Sequence, residues 1–340
     1  MKEKHRDPYV DILKAIGIIS IVIGHSSWIL PGTQFPIGPF VYTYHIMIFL
    51  FVGGFTFKRE AAELPYIYIG MRLKSLAGLF VKYSILVVIL HNILREFHII
   101  GTDQVVYDFS SILENIVYAF TLVSTETMLS AFWFIPMYFF AMSLFCIMFH
   151  YAEVSRYPKA THCIFILITA VVGVYVNEKE MYFNYHIQTS ILGIPVIYLG
   201  YVVKRYWAFL RYYIKVGLGI GCAFLIYGII DLNIGGGIEL SVNAIMHPLL
   251  FYPVTGIGIY FCLSLAKILN SQVALQRLFS FIGKNSFHIM ALHFLCFKIV
   301  DVVYGSWIHA DISLLESFPH AFDFSLIYYL YGTFLSLIHI

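Results

Sequence analysis

Ten stretches of this chain are apolar for long enough to cross a bilayer, and nothing else in the sequence constrains the fold so tightly. In hydrocarbon every backbone N–H and C=O must be satisfied inside the protein, which leaves only helices and closed barrels. The runs fall at about 10–30, 41–57, 73–94, 131–150, 161–176, 187–203, 212–230, 245–266, 286–304 and 324–340. They are continuous, whereas barrel strands read as short alternating segments. The expected fold is therefore all-α, a polytopic membrane helix bundle of about ten transmembrane helices. With 60% hydrophobic and 12% charged residues over 340 positions, no stretch has the composition of a soluble unit. A single membrane-embedded domain over 1–340 is expected.

The basic residues give an orientation. With the N-terminus in the cytoplasm, sixteen of the 21 Lys and Arg fall on the inner side (2, 4, 6, 58, 59, 72, 74, 156, 159, 204, 205, 211, 215, 267, 277 and 284). Only Arg95 and Lys179 fall outside, and Lys14, Lys82 and Lys298 lie within runs. This asymmetry puts both termini in the cytoplasm. The same dispersal excludes a nucleic-acid partner, because no basic face is gathered and the net charge is only +2. The five cysteines sit in apolar runs without CxxC spacing and read as small buried hydrophobes. The histidines lack carboxylate or cysteine partners at ligand spacing, so no metal site is expected.

Chemistry concentrates in the first hairpin, DILKAIGIISIVIGHSSW followed by YHIMIFLFVGGFTF. Ionisable groups within spans are costly and by default suggest function. At about 100° per residue, Asp11, Lys14 and His25 fall within a sector of about 60°, and Lys14 stands about 16 Å along the axis from His25. His45 opens the second run at a depth similar to His25, with Tyr42 and Tyr44 beside it at the outer mouth. Arg72 and Lys74 stand at the inner mouth of the third run, either as topology anchors or as a basic site for an anionic cofactor. The outer connection 95–130 contains an apolar period at 112, 113, 116, 117, 120 and 123, as expected of an interfacial helix. Trp133, Glu126 and Asn243 read as structural or loop residues, and the glycines of NIGGGIEL as loop punctuation. The ninth run, GKNSFHIMALHFLCFK, carries Asn285, His288, His293 and Lys298.

In that order, DILKAIGIISIVIGH, YHIMIFLFVGGFTF, AFWFIPMYFF, GIPVIYLGYVVKR and FIGKNSFHIMALHFLCFK resemble the acyltransferase-3 family of integral membrane acyltransferases, most closely its fucose 4-O-acetylase-like branch. The resemblance implies a ten-helix enzyme of the bacterial cytoplasmic membrane. It implies transfer of an acyl group, usually acetyl, from cytosolic acyl-CoA to a hydroxyl of a cell-surface glycan or lipid-linked saccharide. In the family's first motif a basic residue precedes the histidine by eleven positions, as Lys14 precedes His25. A second motif pairs two arginines three apart; here Arg72 matches the first, but Ser75 stands at the other position with Lys74 beside it.

Acyl transfer needs a base for the hydroxyl proton and donors for the oxyanion. His25 is the expected base. His45 is expected to orient the acceptor, tune His25 or donate to the oxyanion. Lys14, Arg72 and Lys74 are expected along the acetyl-CoA path, and Asp11, Tyr44, Asn285 and His293 around the substrate. An acyl-histidine intermediate is the rival route. The alternative from another class is a transporter or flippase for a saccharide or lipid-linked precursor, since polar groups within spans also mark substrate pathways. Paired repeats, which transporters commonly show, are not evident.

Overall fold

The computed structural model describes residues 7–30, 32–322 and 325–337, so the basic residues at 2, 4 and 6 and the far end of the tenth run lie outside it. The molecule is 77% helical, and among the described residues the only strand-like pairing is an isolated bridge between Glu239 and Ala244. In chain order the helices are α1 (Pro8–Ser26), α2 (Ile37–Tyr42), α3 (Met47–Phe55), α4 (Pro65–Glu96), α5 (Phe109–Phe120), α6 (Phe134–Val154), α7 (Pro158–Glu178) and α8 (Ile187–Arg205). They continue as α9 (Trp207–Leu210), α10 (Val216–Asp231), α11 (Pro248–Ser271), α12 (Val273–Lys284), α13 (Ser286–Ile308), α14 (Ile312–Leu315) and α15 (Ser325–Phe334). Among the described residues eight helical segments, α2 with α3 counting as one, are long and apolar enough to cross a membrane, so the chain is an all-α polytopic bundle.

The seventh run is shorter than expected. Helix α10 has 16 residues, about 24 Å, because the predicted inner end at 212–215 is a turn whose Lys215 N–H bonds the Tyr260 hydroxyl at 3.1 Å. The tenth run contributes an apolar helix over Leu326–Leu337. Helix α5 carries the expected amphipathic period. Asp108 caps it by accepting from the Ser111 N–H at 2.8 Å, and Phe109, Val117 and Phe120 are exposed. Helix α12 separates from the ninth run as an amphipathic segment lying against the lower half of α1.

The second run is broken. Within one span, Ile37–Phe55, that covers most of the expected 41–57, α2 and α3 are joined by a turn at 43–46. Thr43 Oγ1 donates to the Phe40 carbonyl at 2.7 Å, and His45 Nδ1 meets the Val41 carbonyl at 3.2 Å. The Thr43 and Tyr44 N–H groups bond three residues back, to Phe40 and Val41, which tightens the chain out of the α ladder. Non-helical backbone at membrane depth persists where it lines a cavity, which is what this turn does.

Close glycine contacts set how the broken hairpin is held. Helices α3 and α8 cross so tightly that a Cβ at Gly54 would collide with the Ile197 carbonyl, and one at Gly200 with the Phe51 carbonyl. On the other side of the hairpin, Gly283 of α12 brings its helix onto the backbone of α1 at Asp11. These two crossings fix the hairpin between α8 and α12.

Candidate active site

His25 lies in the last turn of α1, partly buried, and is held by rings rather than by hydrogen bonds among the described residues. Its imidazole stacks on His293 of α13, with centroids 5.4 Å apart, and leans on Phe294 at 4.9 Å. His45, from the turn between α2 and α3, is almost fully buried and packs edge-on against Tyr42 at 4.6 Å. Both imidazoles line one cavity of about 160 Å³, together with Tyr42, Ser130, Trp133, Glu239, Ser241 and Met290 among others. Consecutive membrane segments thus bring together the two histidines that the sequence singled out.

The backbone sets the tautomers of two of these rings. With Nδ1 of His45 facing the Val41 carbonyl, the proton belongs on Nδ1 and the lone pair on Nε2. His293 Nδ1 faces the Ile289 and Met290 carbonyls at 3.2 and 2.9 Å, so its Nε2, buried without a hydrogen-bond partner, carries the lone pair. Of the roles expected for His45, donation to an oxyanion does not suit this neutral tautomer, whereas accepting from a substrate hydroxyl does.

The site is recessed. His293 is the eighth residue of α13, and that helix runs on for fifteen more, about 22 Å along its axis. Above the site Lys298 and Asp301 are fully buried. Lys298 Nζ bonds Asp301 Oδ2 at 3.1 Å and the Ser317 carbonyl at 2.9 Å, and Asp301 also accepts from the Ala321 N–H and the Tyr328 hydroxyl. This pair tethers the 309–322 loop to the bundle.

The structure gathers only part of the set the sequence proposed. Tyr44 is buried beneath the site, accepting from Ser20 Oγ at 3.2 Å and packing against Phe40; it is Tyr42 that faces the cavity. Asn285 sits at the α12–α13 junction, donating to the Phe281 carbonyl at 2.9 Å, about 12 Å along α13 from His293. Asp11 and Lys14 form an ion pair at 3.8 Å in the inner half of α1. Arg72 is half-buried, its Nε donating to the Tyr68 hydroxyl at 3.0 Å, whereas Lys74 points away and is exposed.

The missing members come from loops. Glu239 and Ser241 reach the cavity because Asn243 adopts a left-handed conformation (φ 56°) that closes the Glu239–Ala244 turn. Fully buried Gln188 holds that turn by donating to Asn243 Oδ1 at 2.8 Å. Glu239 Oε1 accepts from the Ser241 hydroxyl at 2.5 Å. The sequence signal was slight: one carboxylate in a glycine-rich loop that otherwise read as punctuation.

At the inner face, Arg211, Lys215, Lys267 and Asn270 line a cavity of about 540 Å³ with Asp7, its floor made by Tyr9 and Trp207, whose rings lie 5.1 Å apart. These cations read in the sequence as topology anchors; the fold brings three of them to one opening. Among the described residues no group of three or more His, Cys, Asp or Glu is placed to hold a metal ion.

A family model described as an acyltransferase domain, acyltransferase 3, matches residues 7–340. No curated protein and no solved structure matches the chain.

Proposed function

Because the chain belongs to the acyltransferase-3 family and is a multi-pass membrane acyltransferase, we propose that it transfers an acetyl group from cytosolic acetyl-CoA to a hydroxyl of a cell-surface glycan or lipid-linked saccharide, in the bacterial cytoplasmic membrane. The fucose 4-O-acetylase-like branch is the reading of its subgroup. The observation that carries the proposal is the shared cavity of His25 and His45, two imidazoles recessed in a membrane bundle and open to one small space.

In this reading His25 takes the proton of the acceptor hydroxyl as its oxygen attacks the thioester carbonyl. The carbon–sulfur bond then breaks, and the proton passes to the departing thiolate of CoA. His45 Nε2, with its lone pair set by the Val41 carbonyl, accepts from and orients the attacking hydroxyl. Holding both reactants in a dry, fixed geometry supplies much of the barrier reduction. The donor's nucleotide is assigned to the inner cavity of Arg211, Lys215 and Lys267, which offers cations for phosphates and aromatic rings beside them. Tyr9 stands about 24 Å along α1 from His25, so the acyl group would travel at the end of an extended arm.

The test supplies acetyl-labelled acetyl-CoA to membranes containing the wild type or His25→Ala at equal expression, and follows label into glycan, glycolipid and protein. Label in glycan or glycolipid with the wild type alone supports direct transfer dependent on His25. Label retained on the protein supports an acyl-enzyme, and none in any fraction opposes the proposal.

A further inference from the structure

Beside the histidine cavity lies a second outer cavity of about 180 Å³, the space of about six liquid waters. Ser124, Ser130, Trp133, Pro136, Tyr185 and His186 are among its walls. Ser130 and Trp133 line both cavities, so a molecule seated in the second is adjacent to His25 and His45.

Three features of this cavity point to a ligand. Ser124 Oγ and His186 Nδ1 are buried and make no hydrogen bond among the described residues. An unsatisfied buried polar atom costs about 1–3 kcal/mol, so two that line one cavity favour a ligand that bonds them. The backbone is also held in an uncommon state: Tyr185 (φ 62°) and His186 (φ 52°) are consecutive left-handed residues, and neither is glycine. Such conformations cost about 1–2 kcal/mol each and cluster at ligand sites. Finally, the Trp133 ring lies against His186, with centroids 4.6 Å apart, and remains partly open.

We propose that this cavity is the subsite for a sugar ring of the acceptor, with Trp133 against the ring's apolar face and Ser124 Oγ and His186 Nδ1 hydrogen-bonded to its hydroxyls. A pyranose offers the matching chemistry, a face of C–H bonds and a rim of hydroxyls that both donate and accept. The volume suits one ring, and the wall shared with the histidine cavity puts a neighbouring hydroxyl toward His25 and His45. This assignment rests on the glycan acceptor proposed above and names the residues that select it.

The test is binding, independent of acetyl-CoA. Purified protein in lipid nanodiscs is probed by saturation-transfer NMR with methyl glycosides of hexoses, 6-deoxyhexoses and N-acetylhexosamines. At least one glycoside is expected to receive saturation at its ring C–H protons. The signal should persist in Trp133→Tyr, disappear in Trp133→Leu, and require about tenfold more ligand in Ser124→Ala and His186→Phe, the loss of one hydrogen bond each. Failure of every glycoside to bind, or binding indifferent to Trp133→Leu and Ser124→Ala, overturns the subsite. Labelled acetyl reaching glycan alongside such indifference would leave the proposed function standing without it. Trp133-dependent binding with no acetyl transfer would reject the function and keep the subsite.

Discussion

The imidazoles of His25 and His293 lie 5.4 Å apart, their planes 28° from parallel, so a ring on α13 fixes the angle at which α1 presents its last histidine. His293 does not line the cavity; it acts through His25 as a positioning residue. His293→Ala is expected to lower kcat about ten- to hundredfold with the KM for acetyl-CoA unchanged, since a small displacement of a reacting group costs this much. His293→Phe, which keeps a ring at the stack, should recover most of the loss. Steady-state kinetics in membranes check both.

His25 and His45 share one cavity and should behave as a unit. His25→Ala is expected to reduce acetyl transfer about 10²–10⁴-fold, the range for loss of a general base. His45→Asn, whose side-chain amide can still donate to the Val41 carbonyl, should fold normally and lose activity. The double variant should be little worse than either alone, because residues acting together are not additive. Rates of labelled acetyl transfer at matched protein levels decide this.

If the inner cavity holds the donor, Lys215→Ala with Lys267→Ala should raise the KM for acetyl-CoA several-fold and leave kcat alone, the pattern of lost ground-state binding. Both side chains are exposed, so the wild-type KM should also rise with added salt and that of the double variant less so. A fall in kcat alone would contradict this placement.

Gly54 has no room for a side chain against the Ile197 carbonyl. Gly54→Ala should destabilise the bundle by about 1–3 kcal/mol, the usual cost of overpacking, and loosen the α3–α8 crossing that carries His45. Thermal unfolding in detergent would show a lowered midpoint, and because the clash is with backbone atoms of Ile197, trimming a side chain on α8 should not restore it.

In the outer loops, Glu316 accepts from His98 Nδ1 at 2.9 Å and from Thr102 Oγ1 at 3.0 Å, and the His98 bond foremost holds its carboxyl below the usual carboxylate range. A depressed folded-state pKa contributes stability that is present above the ordinary value of about 4.3 and lost as pH falls through the folded one. Proteolysis of the 309–322 loop should therefore accelerate on acidification through that window in the wild type, and show a flatter pH dependence in Glu316→Gln.

By itself the sequence determined the class of fold and the identity of the two central histidines. Apolar runs at ten positions admit only a helical bundle, because in a bilayer only helices and closed barrels satisfy the backbone and continuous runs do not make barrel strands. His25 and His45 stood out because ionisable groups are rare in such runs, so each carries information that a histidine in a soluble chain would not. Tertiary structure decided the rest. The break at 43–46 depends on side chains that compete for helix carbonyls only where a cavity receives them. Glu239 and Ser241 reach the site through a loop, whose course no periodicity predicts, and through a left-handed Asn243 held by Gln188, 55 residues away, whereas Trp133 reaches it from the helical turn that opens the fourth span. Tyr42 and Tyr44, two residues apart in one run, were both expected at the outer mouth, yet only Tyr42 faces the cavity, for the same reason: in a turn, unlike a regular helix, spacing along the chain does not fix which side chain faces the space.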